Sequence, residues 1–212
     1  MVYNALVVQR KFLITARLFF GLLTLVAIGE ELVIDIQGGH SLVNFFSFFT
    51  DLSNIFAAIV LIIGAIHLIK RRQPTVAEDI IRGSSVAYMA LVGIVFGVLL
   101  RDVDLGDLLP WVNSILHYIM PVVMVAEWLY QPPKSKLSPK QLWLWLIFPL
   151  LYLAYSLIRG AAINWYPYPF FNPNNVGGYG GVAFYCICIL ATFLLCSWLL
   201  MTLGNKLKRN IA

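Results

Sequence analysis

Six apolar runs constrain this chain more than any other feature. They lie at about 12–34, 44–69, 83–100, 111–130, 141–158 and 181–203. A helix that crosses the hydrocarbon core of a bilayer needs roughly 17–25 mostly apolar residues, and each run meets or nearly meets that length. Short polar or Pro/Gly-containing links separate the runs, with no internal repeat and no room for a second soluble domain. The predicted fold is all-α: one polytopic membrane domain over residues 1–212, a bundle of six transmembrane helices. Composition agrees, because only 12% of the residues are charged, against about 25% in a soluble domain.

The first run follows Arg10 and Lys11, as the core of a signal peptide would. It continues from Phe12 to about Ile34, however, and no convincing small-x-small cleavage site follows. It is read as an uncleaved first span. Thirteen of the fifteen Lys and Arg then fall on one side of the bundle, within residues 10–17, 70–82, 134–140 and 206–209. Only Arg101 and Arg159 fall on the other, where Glu30, Glu31, Asp35, Asp102, Asp104 and Asp107 collect. The positive-inside rule therefore predicts that both termini are cytoplasmic. Topology also explains the net charge of +5 without a nucleic-acid partner. Cys186, Cys188 and Cys196 share the last run and read as small buried hydrophobes, not as a disulfide framework.

Polar side chains inside a span are costly and are rarely placed there without a partner or a job. The densest group, Thr50-Asp51-Leu52-Ser53-Asn54, sits in the second run; His117 stands alone in the fourth. Each lies about six residues into its run from the same side, so both are roughly 9 Å deep at ~1.5 Å per residue. They can share a layer. His117 lies at helical spacing with Asn113, Met120, Met124 and Glu127, a face more polar than the rest of its run. Pro121 removes the N–H that would bond to the His117 carbonyl, which predicts a kink; Pro149 does the same to Trp145. Gly93 and Gly97 form a GxxxG spacing, read only as close helix packing.

The chemistry that such a pair supports is acyl transfer. A threonine hydroxyl becomes a nucleophile when a base takes its proton, and His117 is the candidate base. Asp51, Asn54 and Asn113 are candidates to orient His117 or to contact an oxyanion. Asp51 is turned about 100° from Thr50, whereas Ser47 and Asn54 align with it at i−3 and i+4. The plainer reading is structural: a membrane threonine commonly bonds back to its own helix four residues earlier, and a buried histidine or asparagine bridges helices. Glu127, near the cytoplasmic end, would reach interfacial water. Haem fits poorly, because His67 and His117 belong at opposite depths and His40 lies in a loop. No Walker loop, zinc motif or GxSxG is present, so no cofactor or metal is predicted. The link at about 159–180 contains Tyr166-Pro167-Tyr168-Pro169-Phe170 and Gly178-Tyr179-Gly180. Its composition favours an interfacial aromatic belt over a cap or shallow re-entrant segment.

Three stretches carry a resemblance: Phe49-Thr50-Asp51-Leu52-Ser53-Asn54, Leu116-His117-Tyr118-Ile119-Met120-Pro121 with Glu127-Trp128, and the Tyr166–Phe170 stretch with Gly178-Tyr179-Gly180. Together they resemble the marks of prokaryotic six-pass membrane proteins of unknown role. These in turn are distantly similar to the androgen-induced membrane hydrolases, intramembrane threonine hydrolases that cleave fatty acid esters of hydroxy fatty acids. The resemblance implies Thr50 as nucleophile, His117 as its base, a membrane lipid or lipid-like ester as substrate, and a bacterial inner membrane location. It assigns no role to Asp51, Ser53 or Asn54. Two rival readings use the same residues: a small-solute transporter or channel lined by Thr50, Asp51, Asn54 and His117, and a lipid-binding protein without turnover. The first lacks the inverted repeats and paired broken helices of many transporters.

Overall fold

A computed structural model describes residues 2–103, 106 and 108–209. Asp104 and Asp107, expected on the acidic side, lie outside the described residues. Helices α1 (Val2–Gln37), α2 (Leu42–Phe45), α3 (Phe49–Ile69) and α4 (Val76–Val95) follow in order, then α5 (Pro110–Ser114), α6 (Met120–Tyr130), α7 (Pro139–Ile163) and α8 (Tyr179–Arg209). A π turn, Phe96–Leu100, prolongs α4; another, Ile115–Ile119, joins α5 to α6. Among the described residues there is no strand. Six helical stretches are long and apolar enough to cross a membrane: Val7–Gln37, Phe49–Ile69, Val76–Leu100, Pro110–Tyr130, Pro139–Ile163 and Tyr179–Lys208. The fold is the all-α six-helix bundle expected, and the chain is a multi-pass integral membrane protein.

Several span boundaries differ from the sequence reading by five residues or more, and two of the differences have a clear cause. The third span starts at Val76, not near residue 83, because its early charges are all partnered. Thr75 caps α4 in a reciprocal capping box with Glu78. The Asp79 carboxylate accepts the Ser135 N–H at 2.7 Å, and Arg82 reaches Glu127 at 3.2 Å. The second span starts at Phe49, not near residue 44. The chain makes one turn in α2, opens into extended backbone at Phe48 (φ −86°, ψ 129°) and restarts as α3.

Helix α4 is the centre of the bundle, packed by α3, α6, α7 and α8, while α1 lies along α3. Hydrocarbon offers no water to a stray N–H, so each buried indole must find a carbonyl. Trp128 donates to Leu200 and Trp145 to Ile80, each at 2.9 Å. Gly83 makes room for both rings: a Cβ there would stand 2.3 Å from Trp145 Cζ2 and 3.2 Å from Trp128 Cη2. Gly93 likewise admits Pro121, whose Cβ would lie 2.8 Å from a Cβ at 93; Gly97 has no such neighbour within 4 Å. Only the first glycine of the GxxxG spacing therefore serves packing. None of the three cysteines is buried as the sequence reading expected: Cys186 and Cys196 are partly exposed and Cys188 is exposed at the bundle surface.

At the end of the bundle where α1 begins, three charges that the sequence placed at the water interface lie inside. Arg17 and Arg82 both pair with Glu127, whose side chain is 8% exposed, and Gln131 joins them. Gly64 accommodates Arg17, since a Cβ there would be 2.8 Å from its Nη1.

Candidate functional site

The break before α3 creates the site at the other end. Thr50 and Asp51 become the second and third residues of a helix, where backbone N–H groups have no intrahelical partner. The α7–α8 link supplies one. Its 3₁₀ turn, Pro169–Phe171, buries Phe170 and Phe171 and leaves Tyr168 only 9% exposed. The Thr50 N–H donates to Tyr168 Oη at 3.1 Å, and Thr50 Oγ1 lies 3.3 Å from the same oxygen. The link is thus an inserted cap rather than the interfacial belt that its composition favoured. Tyr152 closes the break from α7, donating to the Ser47 carbonyl at 2.9 Å.

Thr24 and Thr192 do what membrane threonines commonly do, donating to the carbonyls four residues earlier at 2.8 and 2.9 Å. Thr50 differs because its fourth preceding residue, Phe46, lies before the break. Its hydroxyl meets a phenol instead. Burial pushes the Tyr168 phenol up to about 12, with the Thr50 hydrogen bonds pulling the other way. At neutral pH it therefore stays protonated, a donor and not a base.

His117 sits in the π turn before Pro121. With the Pro121 N–H missing, the irregularity expected there takes the form of a widened turn. His117 Nδ1 lies 3.3 Å from the Asn113 carbonyl, which makes Nδ1 the protonated nitrogen and leaves the lone pair on Nε2. The ring stacks on Phe96, centroids 4.0 Å apart, so the two π turns meet face to face. Asn54 ties the pieces together: its Nδ2 donates to the Thr50 carbonyl at 2.9 Å and to the Leu116 carbonyl at 3.2 Å.

Thr50, Asp51 and His117 line one cavity of about 690 Å³, shared with Glu31 and Asp35 of α1 and with Tyr168. Among the described residues no hydrogen bond joins Thr50 to His117 directly. The other expected polar residues stand behind the wall. Asn54 bridges backbones, Asn113 orients His117 through its carbonyl rather than its amide, and the Ser47 hydroxyl donates to the Val43 carbonyl and meets Tyr155. An apolar pocket of about 180 Å³ lies next to this cavity between α4, α7 and α8. It runs out to Leu150 and Ile187, both exposed on the bundle's surface. Thr50, Tyr168, Phe96 and Leu100 belong to both walls.

Sequence reasoning missed Tyr168 and Tyr152 as partners of the α3 start, and Glu31 and Asp35 as cavity walls. The proline spacing around Tyr168, which forbids a surface helix, was the available signal for the first. His67 lies at the far end of α3 beside Arg72 and Glu78, away from the cavity. Among the described residues no group of His, Cys, Asp and Glu is arranged to hold a metal ion.

Fold and site together define a multi-pass helical membrane protein with a polar cavity sunk into one end and an apolar pocket beside it. Searches against family models, curated proteins and solved structures return no match to this chain.

Proposed function

We propose that the chain is an intramembrane hydrolase of fatty acyl esters, with Thr50 as nucleophile and His117 as general base. One observation carries the reading: Thr50 stands in the wall common to a polar cavity and an apolar pocket that reaches the bundle's surface. An ester with one greasy arm and one polar arm places its carbonyl where those two spaces meet. The acyl chain enters laterally from lipid between α7 and α8.

In the first step Thr50 Oγ1 bonds to the carbonyl carbon, and its proton passes to His117 Nε2. Because the two side chains make no direct hydrogen bond, the transfer runs through a bridging water or follows closure around substrate. The protonated imidazole returns that proton to the departing alkoxide as the ester C–O bond breaks. Water, deprotonated by His117, then splits the acyl-threonine, releases the fatty acid and restores the hydroxyl. The Tyr168 phenol holds the Thr50 backbone and is a ready donor to the developing oxyanion. With the basic ends of the bundle in the cytoplasm, this chemistry sits in the outer leaflet, and a bacterial inner membrane is the setting that the sequence resemblance implies.

A fluorophosphonate ester probe tests the assignment on purified protein. Labelling is expected to vanish in Thr50→Ala and to fall about 100-fold or more in His117→Ala. Undiminished labelling of Thr50→Ala removes Thr50 from the role.

A further inference from the structure

We infer that the Thr50 cavity is a binding site for an organic ammonium group, and that the ester cleaved there carries this cation on its polar arm. Glu31, Asp35 and Asp51 all line the cavity; Asp35 has His40 Nδ1 at 3.2 Å, and no Lys or Arg lines it among the described residues. Asp51 is 3% exposed and faces the cavity, yet no hydrogen bond to its carboxylate is made among the described residues. Glu31 Oε2 is also buried without a hydrogen-bond partner. A buried carboxyl keeps its negative charge only where a cation or hydrogen-bond donors compensate it. At the other end of the bundle Glu127 has two arginines; here the space beside Asp51 is a cavity.

Aromatic residues in the same cavity wall supply the second half of a cation site. Phe48 packs edge-to-face on Trp165 at 5.8 Å and on Tyr168 at 5.7 Å, and all three rings line the cavity. Aromatic faces set beside carboxylates are how proteins recognise quaternary and substituted ammonium groups. Trp165 already takes a cation: the Arg159 guanidinium lies 4.7 Å from its ring centroid. That arginine is held by Asn44 Oδ1 at 2.6 Å and does not line the cavity. The same three carboxylates repel an anion, so a substrate whose polar arm ends in a free carboxylate is disfavoured. An ester of an amino alcohol fits better than an ester of a hydroxy acid. The substrate assignment rests on the hydrolase reading above; the ammonium site does not.

Two isosteric probes separate charge from shape: lauroylcholine, and the laurate ester of the same alcohol with tert-butyl in place of trimethylammonium. In Thr50→Ala, which blocks turnover, lauroylcholine is expected to bind at least tenfold more tightly than its neutral isostere. Asp51→Asn and Glu31→Gln, each added to Thr50→Ala, are expected to shrink that ratio towards one. On the unmutated protein, tetramethylammonium is expected to displace dodecyltrimethylammonium, which has no ester to cleave; this covers the case of a variant that does not fold. Equal binding of the two esters, or no competition by tetramethylammonium, overturns the ammonium site. A clear preference in binding with neither ester hydrolysed by the unmutated protein overturns the hydrolase reading and leaves the site. Hydrolysis of both esters at equal rates does the reverse.

Discussion

At one end of the bundle Glu127 sits between Arg17 and Arg82; at the other, Glu31, Asp35 and Asp51 line a cavity whose wall holds no Arg or Lys among the described residues. Both ends bury carboxylates within helices that cross the membrane. The first end draws its partners from α1, α4 and α6, and its charges lock three helices together. The second partners Asp35 with His40 alone and leaves Asp51 facing the cavity without a hydrogen bond, with Thr50 and His117 in the same wall. The contrast separates two uses of a costly group: a buried carboxylate with two guanidinium partners acts as a bolt, and one with none marks a place where something else is to sit.

The largest effect expected from this contrast is at the bolt. Glu127→Gln leaves two guanidinium groups without their carboxylate and is expected to cost about 3–5 kcal/mol, read as a large fall in thermal unfolding temperature in detergent. A small fall would place both ends in one class. Next is Gly160→Ala. A Cβ at 160 would stand 2.0 Å from Tyr166 Cε1, so the inserted link must lift, at a cost of about 1–3 kcal/mol. Protease cleavage within 164–178 should rise, with the Arg17 end unaffected.

Alkaline pH should loosen the same link from within. Tyr168 is pushed up to about 12 in the fold, against ~10 for an unperturbed phenol. Above the unperturbed value the unfolded chain loses this proton first, so the fold holds more protons and stability falls as pH rises. The loss should approach ~2–3 kcal/mol near the folded value, and Tyr168→Phe should abolish that part of the pH dependence. The smallest expected effect is Asp51→Asn: a buried carboxyl without a hydrogen-bond partner becomes a neutral amide of the same shape, so the unfolding temperature should hold or rise slightly. A fall as large as that of Glu127→Gln would show that Asp51 is bolted too.

Much of the fold was legible because hydropathy and length decide what crosses a bilayer. Boundaries were less so: the charges at Glu78, Asp79 and Arg82 end an apolar run on paper, yet each finds a partner in three dimensions and α4 runs through them. The layer shared by Thr50 and His117 followed from depth alone, since both count the same number of residues inward. The break at Phe48 did not follow, because Phe46, Phe48 and Phe49 fit an unbroken helix as well as an interrupted one. Without the break, Thr50 reads as an ordinary back-bonding threonine like Thr24. Tyr168 was hidden for a different reason. An aromatic between two prolines is as much at home at a membrane surface as plugged into a bundle, and only packing chooses.

The widened turn at Ile115–Ile119 gives the fourth span two halves that need not keep time with each other. A helix advances about 100° per residue, so a single deletion between Ser114 and Met120 would restore regular winding. Met124 and Trp128 would stay seated against the core, while Asn113 and the turns before it would swing to a new heading. The cavity rim carried by the first half of this span can therefore be re-aimed by one codon while the second half keeps its seat, with Val112 and Leu116 the core residues that must find new neighbours.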